Sequence, residues 1–212
     1  MSQPQAPCPS CGAPVQFRWS SAVQAVCPFC KSLLVRDGLD LKNMGVVGDL
    51  PPDPSPICLW TEGNYKGNTF QVLGRLVYEW ENGGWNEWHI VFSDGRSGWL
   101  SDAQLQYAVS FLSNPGRHLP PASQMSRGTT IRFSNVEYEV ATVTMATYKG
   151  TEGELPFSYF GRQAMMFADL RTNGRAFGTI DYGDDPPLLY LGEWVEFEEL
   201  QLKNLRRFEG WC

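Results

Sequence analysis

Gly67-Asn68-Thr69-Phe70-Gln71-Val72-Leu73-Gly74-Arg75-Leu76-Val77-Tyr78-Glu79 reads as a strand bounded by a turn glycine. Gly128-Thr129-Thr130-Ile131-Arg132-Phe133-Ser134-Asn135-Val136-Glu137-Tyr138-Glu139-Val140 reads as its counterpart further along. Both are rich in the β-branched and aromatic residues that suit a pleated, half-buried surface. Each leads to a hairpin signal, Asp94-Gly95 before Gly98-Trp99-Leu100 and Asn173-Gly174 before Gly178-Thr179-Ile180. Asp-Gly and Asn-Gly supply the positive φ values that type I′ turns require. Alternating strands follow, carrying Tyr107, Val109 and Phe111 in one copy and Trp194, Val195 and Phe197 around the other.

The pattern predicts two related β-units, 57–112 and 128–212, each a small SH3-like barrel; one fused β-sandwich is the alternative. The composition agrees: 13% aromatic residues are separated by 21 Gly and 15 Pro in a 212-residue chain, and no long amphipathic helix is visible. Residues 37–56, with Pro51-Pro52-Asp53-Pro54-Ser55-Pro56, read as a linker, and so do residues 113–127. The second unit is longer in its middle, where residues 146–163 read as an inserted surface loop.

Ahead of these units stand Cys8-Pro9-Ser10-Cys11-Gly12 and Cys27-Pro28-Phe29-Cys30-Lys31, with fifteen residues between Cys11 and Cys27. Two residues between cysteines let one tight turn aim both sulfurs at a common point, and a second such turn completes a tetrahedral Cys₄ site. Pro14 to Trp19, Ala22 to Val26 and Leu33 to Val35 supply short strands, so residues 1–36 read as a zinc ribbon holding one structural Zn²⁺. A disulfide or redox pair is the competing chemistry. Cys58 lies in the apolar run Ile57-Cys58-Leu59-Trp60 and reads as a small core residue, whereas Cys212 has no role visible in the sequence.

The net charge of −6 is uneven, because residues 1–36 hold Arg18, Lys31 and Arg36 and no acid. The acidic remainder is a poor match for a phosphate backbone, which disfavours nucleic acid. Met1 to Pro7 has no apolar signal core, and no apolar run is long enough to span a bilayer. The expectation is a cytoplasmic protein, where thiolate metal sites outcompete disulfides.

Four stretches resemble a bacterial domain-of-unknown-function family, the one numbered 4178. They are Gly67 to Arg75, Trp85-Asn86-Glu87-Trp88-His89, Asp94-Gly95 with Gly98-Trp99-Leu100, and Gly153-Glu154-Leu155-Pro156. The resemblance implies an accessory protein with leading Cys knuckles, encoded beside membrane-stress, ESCRT-III-like and polyamine-synthesis components. It implies no catalytic residue.

Trp85 to His89 is the densest cluster. On a strand, Glu87 and His89 share one face while Trp88, Ile90 and Phe92 share the other. A hydrolase using Glu87 and His89 is one reading, and a hydrogen bond holding a buried His is the plainer one. Five Trp between Trp60 and Trp99 suggest a groove for a partner. Glu152, Glu154, Asp181, Asp184 and Asp185 suggest either a solvated face or a site for a polyamine or other small ligand. The leading expectation is a non-catalytic adaptor, peripheral to a membrane complex, docking a protein partner through Trp85, Glu87, His89, Glu152, Glu154 and Phe157.

Overall fold

The computed structural model describes residues 5–38, 40–47, 50, 54–116, 118–133, 135–158 and 164–208. Among these residues there is no α-helix, and two short 3₁₀ turns interrupt an otherwise β chain.

The N-terminal module begins with the paired strands β1 (Gln5–Pro7) and β2 (Pro14–Gln16). A three-stranded meander follows: β3 (Gln24–Val26), β4 (Ser32–Asp37) and β5 (Asp40–Val46). Much of the expected linker 37–56 is therefore strand. β5 pairs with β4 from Asp37↔Asp40 to Ser32↔Val46.

The first large unit runs β6 (Glu62–Tyr65), β7 (Asn68–Trp80), β8 (Gly83–Phe92), β9 (Ser97–Ala103) and β10 (Gln106–Ser113). The second repeats the order with β11 (Thr130–Phe133), β12 (Val136–Leu155), β13 (Ala164–Arg171), β14 (Ala176–Asp181) and β15 (Leu188–Val195). Both expected hairpins are present, joining β8 to β9 and β13 to β14. Their turns are not type I′, however. Gly95 takes φ +87°, while Asp94, Asn173 and Gly174 do not take positive φ. Asp94 instead accepts the Arg96 N–H in a side-chain turn.

The units do not close as two separate barrels. β10 pairs with β15 from Tyr107↔Val195 to Ser113↔Leu189, so one antiparallel sheet runs through both. β12 then leaves β13 at Thr147 and pairs with β7 from Thr147↔Glu79 to Gly153↔Gly74. The result is a partial ring of eight strands, β7-β8-β9-β10-β15-β14-β13-β12, in place of SH3-like units. Residues 146–155 of the expected surface loop are the strand that closes it, and residues 159–163 lie outside the described residues.

Three apolar clusters follow from strand alternation. Phe70, Val72, Trp88, Ile90 and Phe92 pack on the outer face of the first unit beneath β6 and the C-terminal 3₁₀ turn. Ile131, Tyr138, Val140, Leu170 and Ile180 form the matching cluster of the second unit. Leu76, Tyr78, Trp99, Met165 and Phe167 meet between the units. A bulge between Val72 and Gly74 moves β7 from the first cluster to the third, so even-numbered residues on either side of it face opposite ways.

Closure depends on two glycines. A Cβ on Gly74 would fall on the Glu154 carbonyl oxygen, and one on Gly153 would fall on the Leu73 carbonyl oxygen. Gly153 also takes φ +67°, a value that Gly116 shares in open space. Gly116→Ala should therefore cost only the left-handed backbone strain, about 1–3 kcal/mol. Gly153→Ala should cost clearly more, because the backbones must also part. Urea denaturation compares the two, and equal losses would show that the crossing tolerates a side chain.

Candidate metal centre and interior cavity

The two cysteine turns are built alike. The Cys8 N–H donates to Ala13 O at 2.8 Å and the Cys27 N–H to Ser32 O at 2.9 Å. Gly12 N–H donates back to Cys8 O and Lys31 N–H to Cys27 O, with left-handed φ values of 74° and 59°. Each turn thus aims its two sulfurs inward. The four Sγ atoms lie within 4.8 Å of one another, with Cys8–Cys30 at 3.7 Å and Cys11–Cys27 at 3.8 Å. Metal–sulfur bonds of about 2.3 Å in a tetrahedron place sulfurs about 3.8 Å apart, whereas a disulfide needs about 2.05 Å. The cysteines are free thiols set as a metal tetrahedron. The Ser32 hydroxyl, 3.2 Å from Cys30 Sγ, and the Ser32 N–H hold that thiol down at about 6. These four residues can hold one metal ion, and four sulfur ligands would leave it no open coordination position for substrate.

The ribbon is tied to the ring through Glu154. Its carboxylate accepts the N–H groups of Arg18 at 2.8 Å and Trp19 at 3.0 Å, and its strand end pairs with β3. Its carbonyl accepts the His89 Nδ1–H at 2.8 Å, while Trp19 packs against the His89 ring at 5.1 Å. Ser97 Oγ occupies the other His nitrogen at 2.8 Å. Burial pushes His89 down to about 4, so it stays neutral. His89 and Glu154 are thus joints between modules, with 0% and 3% of their surface exposed.

Glu87 shares that face of β8 but has different neighbours. It lies on the wall of a cavity of about 300 Å³ between the two units. Trp85 Nε1 donates to it at 3.0 Å and Ser101 Oγ at 2.8 Å. Tyr78, Trp85, Trp99, Phe167, Tyr190 and Trp194 form most of the apolar wall. Tyr78 stacks on Trp85 at 5.0 Å, and Phe167 sets its edge on both. Phe157 stacks on Trp99 at 5.8 Å. Gly84, Gln104, Gln106 and Thr142 are lining residues that reach solvent and mark the mouth.

Asp169, Asp181 and Asp184 join Glu87 on the wall, and among the described residues no Lys, Arg or His lines it. Burial pushes Glu87 up to about 8, and the charges of Asp169 and Asp181 add to this. Burial also raises Asp169, against hydrogen bonds from Thr142 and Thr179 that lower it.

The structure therefore divides the expected docking residues. Trp85, Glu87 and Phe157 are brought together inside the cavity, while His89 and Glu154 join the ribbon to the ring. Glu152 lies on Arg75 at 3.4 Å, apart from Asp181 and Asp184. No acid–base pair forms between Glu87 and His89, whose hydrogen-bonding atoms are engaged elsewhere. Trp88, Ile90 and Phe92 are core, as alternation predicts. Cys58 is half-buried, with Sγ near Thr61 and Asn204, and Cys212 lies outside the described residues. Asp169 escaped the sequence reading. Its signal was a carboxylate in register with Phe167 on an otherwise apolar strand.

Residues 61–197 match the family described as a domain of unknown function, DUF4178, and the chain belongs to that family. No curated protein and no solved structure matches it. No helix among the described residues is long and apolar enough to cross a membrane.

Two outcomes follow. Cys27→Ser should abolish stoichiometric metal in elemental analysis. It should also lower the melting temperature of the ring, because Glu154 loses its ribbon donors. The second concerns pH. Glu87 is raised from 4.5 to about 8, so its contribution to stability is complete below about 4.5 and is lost as pH rises through 8. Glu87→Gln should therefore lose less thermal stability than the wild type between pH 6 and 9; parallel losses would contradict the burial.

Proposed function

We propose that this DUF4178 protein is a non-catalytic binding protein that takes a small ligand into its ring, with a zinc-bound ribbon locked against one strand end. The observation that carries this reading is the aromatic-walled cavity. Its volume is the share of about ten liquid waters, which suits a compact organic molecule. Pockets with mostly apolar walls and a few convergent polar groups are the usual form of small-molecule sites. Zinc is the metal that best suits a closed tetrahedron of four thiolates, and its role is to hold the ribbon folded.

A protein partner belongs to the same reading. The ribbon's second turn holds Phe29 out to solvent at 67% exposure, which suits a rigid docking knob beside the ligand-loaded ring. A cytoplasmic setting next to a membrane-stress or polyamine-linked system is part of this proposal and rests on the family resemblance. Hydrolysis by Glu87 and His89 is not, since the two side chains serve different modules.

Indole, a neutral ring of suitable size, tests the container. Saturation-transfer NMR should detect it bound to the wild type, and Ala103→Trp, which fills the exposed edge of the cavity, should weaken it at least tenfold (about 1.4 kcal/mol). No binding to the wild type, or unchanged binding to a folded Ala103→Trp variant, would place the site elsewhere.

A further inference from the structure

The cavity wall carries more information than its size. Four carboxyl groups, on β8, β13, β14 and the loop after β14, converge on a space that no basic residue lines among the described residues. Aromatic faces occupy most of the remaining wall. From this combination, and resting on the container reading above, we infer that the ligand is a small organic cation: an ammonium group carried on an apolar body.

The argument is one of complementarity. An anion entering this space would meet four carboxyl groups and no cation among the described lining residues. A neutral apolar molecule would leave the remaining acceptor capacity of Glu87 and Asp169, beyond their hydroxyl and indole donors, facing a surface that cannot use it. An ammonium group satisfies them with charge-assisted hydrogen bonds, shorter and stronger than neutral ones. Aromatic rings that line the cavity, Tyr78, Trp85 and Trp194 among them, favour a cation and also receive the apolar body, so both halves of the ligand find a surface. The pair that anchors the site is itself held in place. Trp85 and Ser101 orient the Glu87 oxygens, and Thr142 orients Asp169.

Electrostatics supports this arrangement. Empty, the cavity keeps Glu87 protonated near neutral pH, because burial and the facing groups Asp169 and Asp181 disfavour its charge. Asp184, Tyr78 and Tyr190 are the other titratable groups among the described residues on the wall. An ammonium ion takes the place of that proton: the carboxyl O–H releases H⁺ to buffer as the carboxylate accepts the ammonium N–H. Binding should therefore release protons at pH 7 and tighten as pH rises toward 8, below the range in which an alkylammonium loses its own proton.

Three probes of one shape decide the matter: 2-phenylethylammonium, the neutral 2-phenylethanol, and the anionic 3-phenylpropanoate. Calorimetry on the full-length, metal-loaded protein should give the ammonium at least about tenfold tighter binding than the alcohol, and the anion weakest. Proton release should accompany the ammonium alone, measured as a dependence of the heat on buffer ionisation. Glu87→Gln and Asp169→Asn, made singly, should each shrink the ammonium-to-alcohol ratio. The inference fails if the alcohol binds as tightly as the ammonium, or if both folded variants keep the full ratio. In either case the alcohol still binds, and the container stands. If neither the alcohol nor the ammonium binds, and indole does not either, the container itself is wrong.

Discussion

The crossing of β7 and β12 at Gly74 and Gly153 is the contact on which the rest of the molecule depends. Backbone meets backbone there, with each glycine standing where the other strand's carbonyl leaves no room for a Cβ. Through this contact β12 moves from β13 to β7 and draws two β-units into one ring. The next residue, Glu154, leaves the crossing with its carbonyl toward His89 and its carboxylate toward the ribbon. One strand thereby closes the ring, bounds the cavity and anchors the metal module.

The charged groups buried at that junction are matched. Glu154 would carry an unfavourable charge at 3% exposure, yet two backbone N–H groups compensate for much of its lost hydration. Arg75 is similarly buried, lies over Trp88 at 4.9 Å and bonds Asn86 through two of its nitrogens. These contacts stiffen the scaffold around the cavity. The carboxyl groups inside it are different: Glu87 and Asp169 have hydroxyl and indole donors, and no basic residue lines the cavity among the described residues. Charge at the joints is paired, whereas the interior gathers four carboxyl groups around one cavity.

The two halves of the Trp-rich stretch show how one strand serves both purposes. Trp88 belongs to the outer core with no exposed surface, while its neighbours Trp85 and Glu87 face the cavity. The alternation of β8 separates packing from recognition at intervals of a single residue. The ring interior is therefore composed of residues that look, one by one, like ordinary strand positions.

Some of this was determined by the sequence alone. Cysteine spacing is local chemistry, so the knuckles and their common sulfur centre follow from it, and so do the hairpins after Asp94-Gly95 and Asn173-Gly174. The period of two placed Trp88, Ile90 and Phe92 opposite Glu87 and His89. Other features were decided only by the tertiary structure. Gly150 and Gly153 looked like loop residues because glycine signals backbone freedom, but at Gly153 that freedom is used for a close crossing whose partner, Gly74, lies far away in sequence. Asp40 to Val46 looked like linker because an edge strand needs only a neighbour, not a core pattern of its own. The meeting of Glu87 with Asp169 and Asp181 depends on which strands become neighbours around the ring. That is set by long-range pairing between β10 and β15 and between β7 and β12, and no local periodicity encodes it.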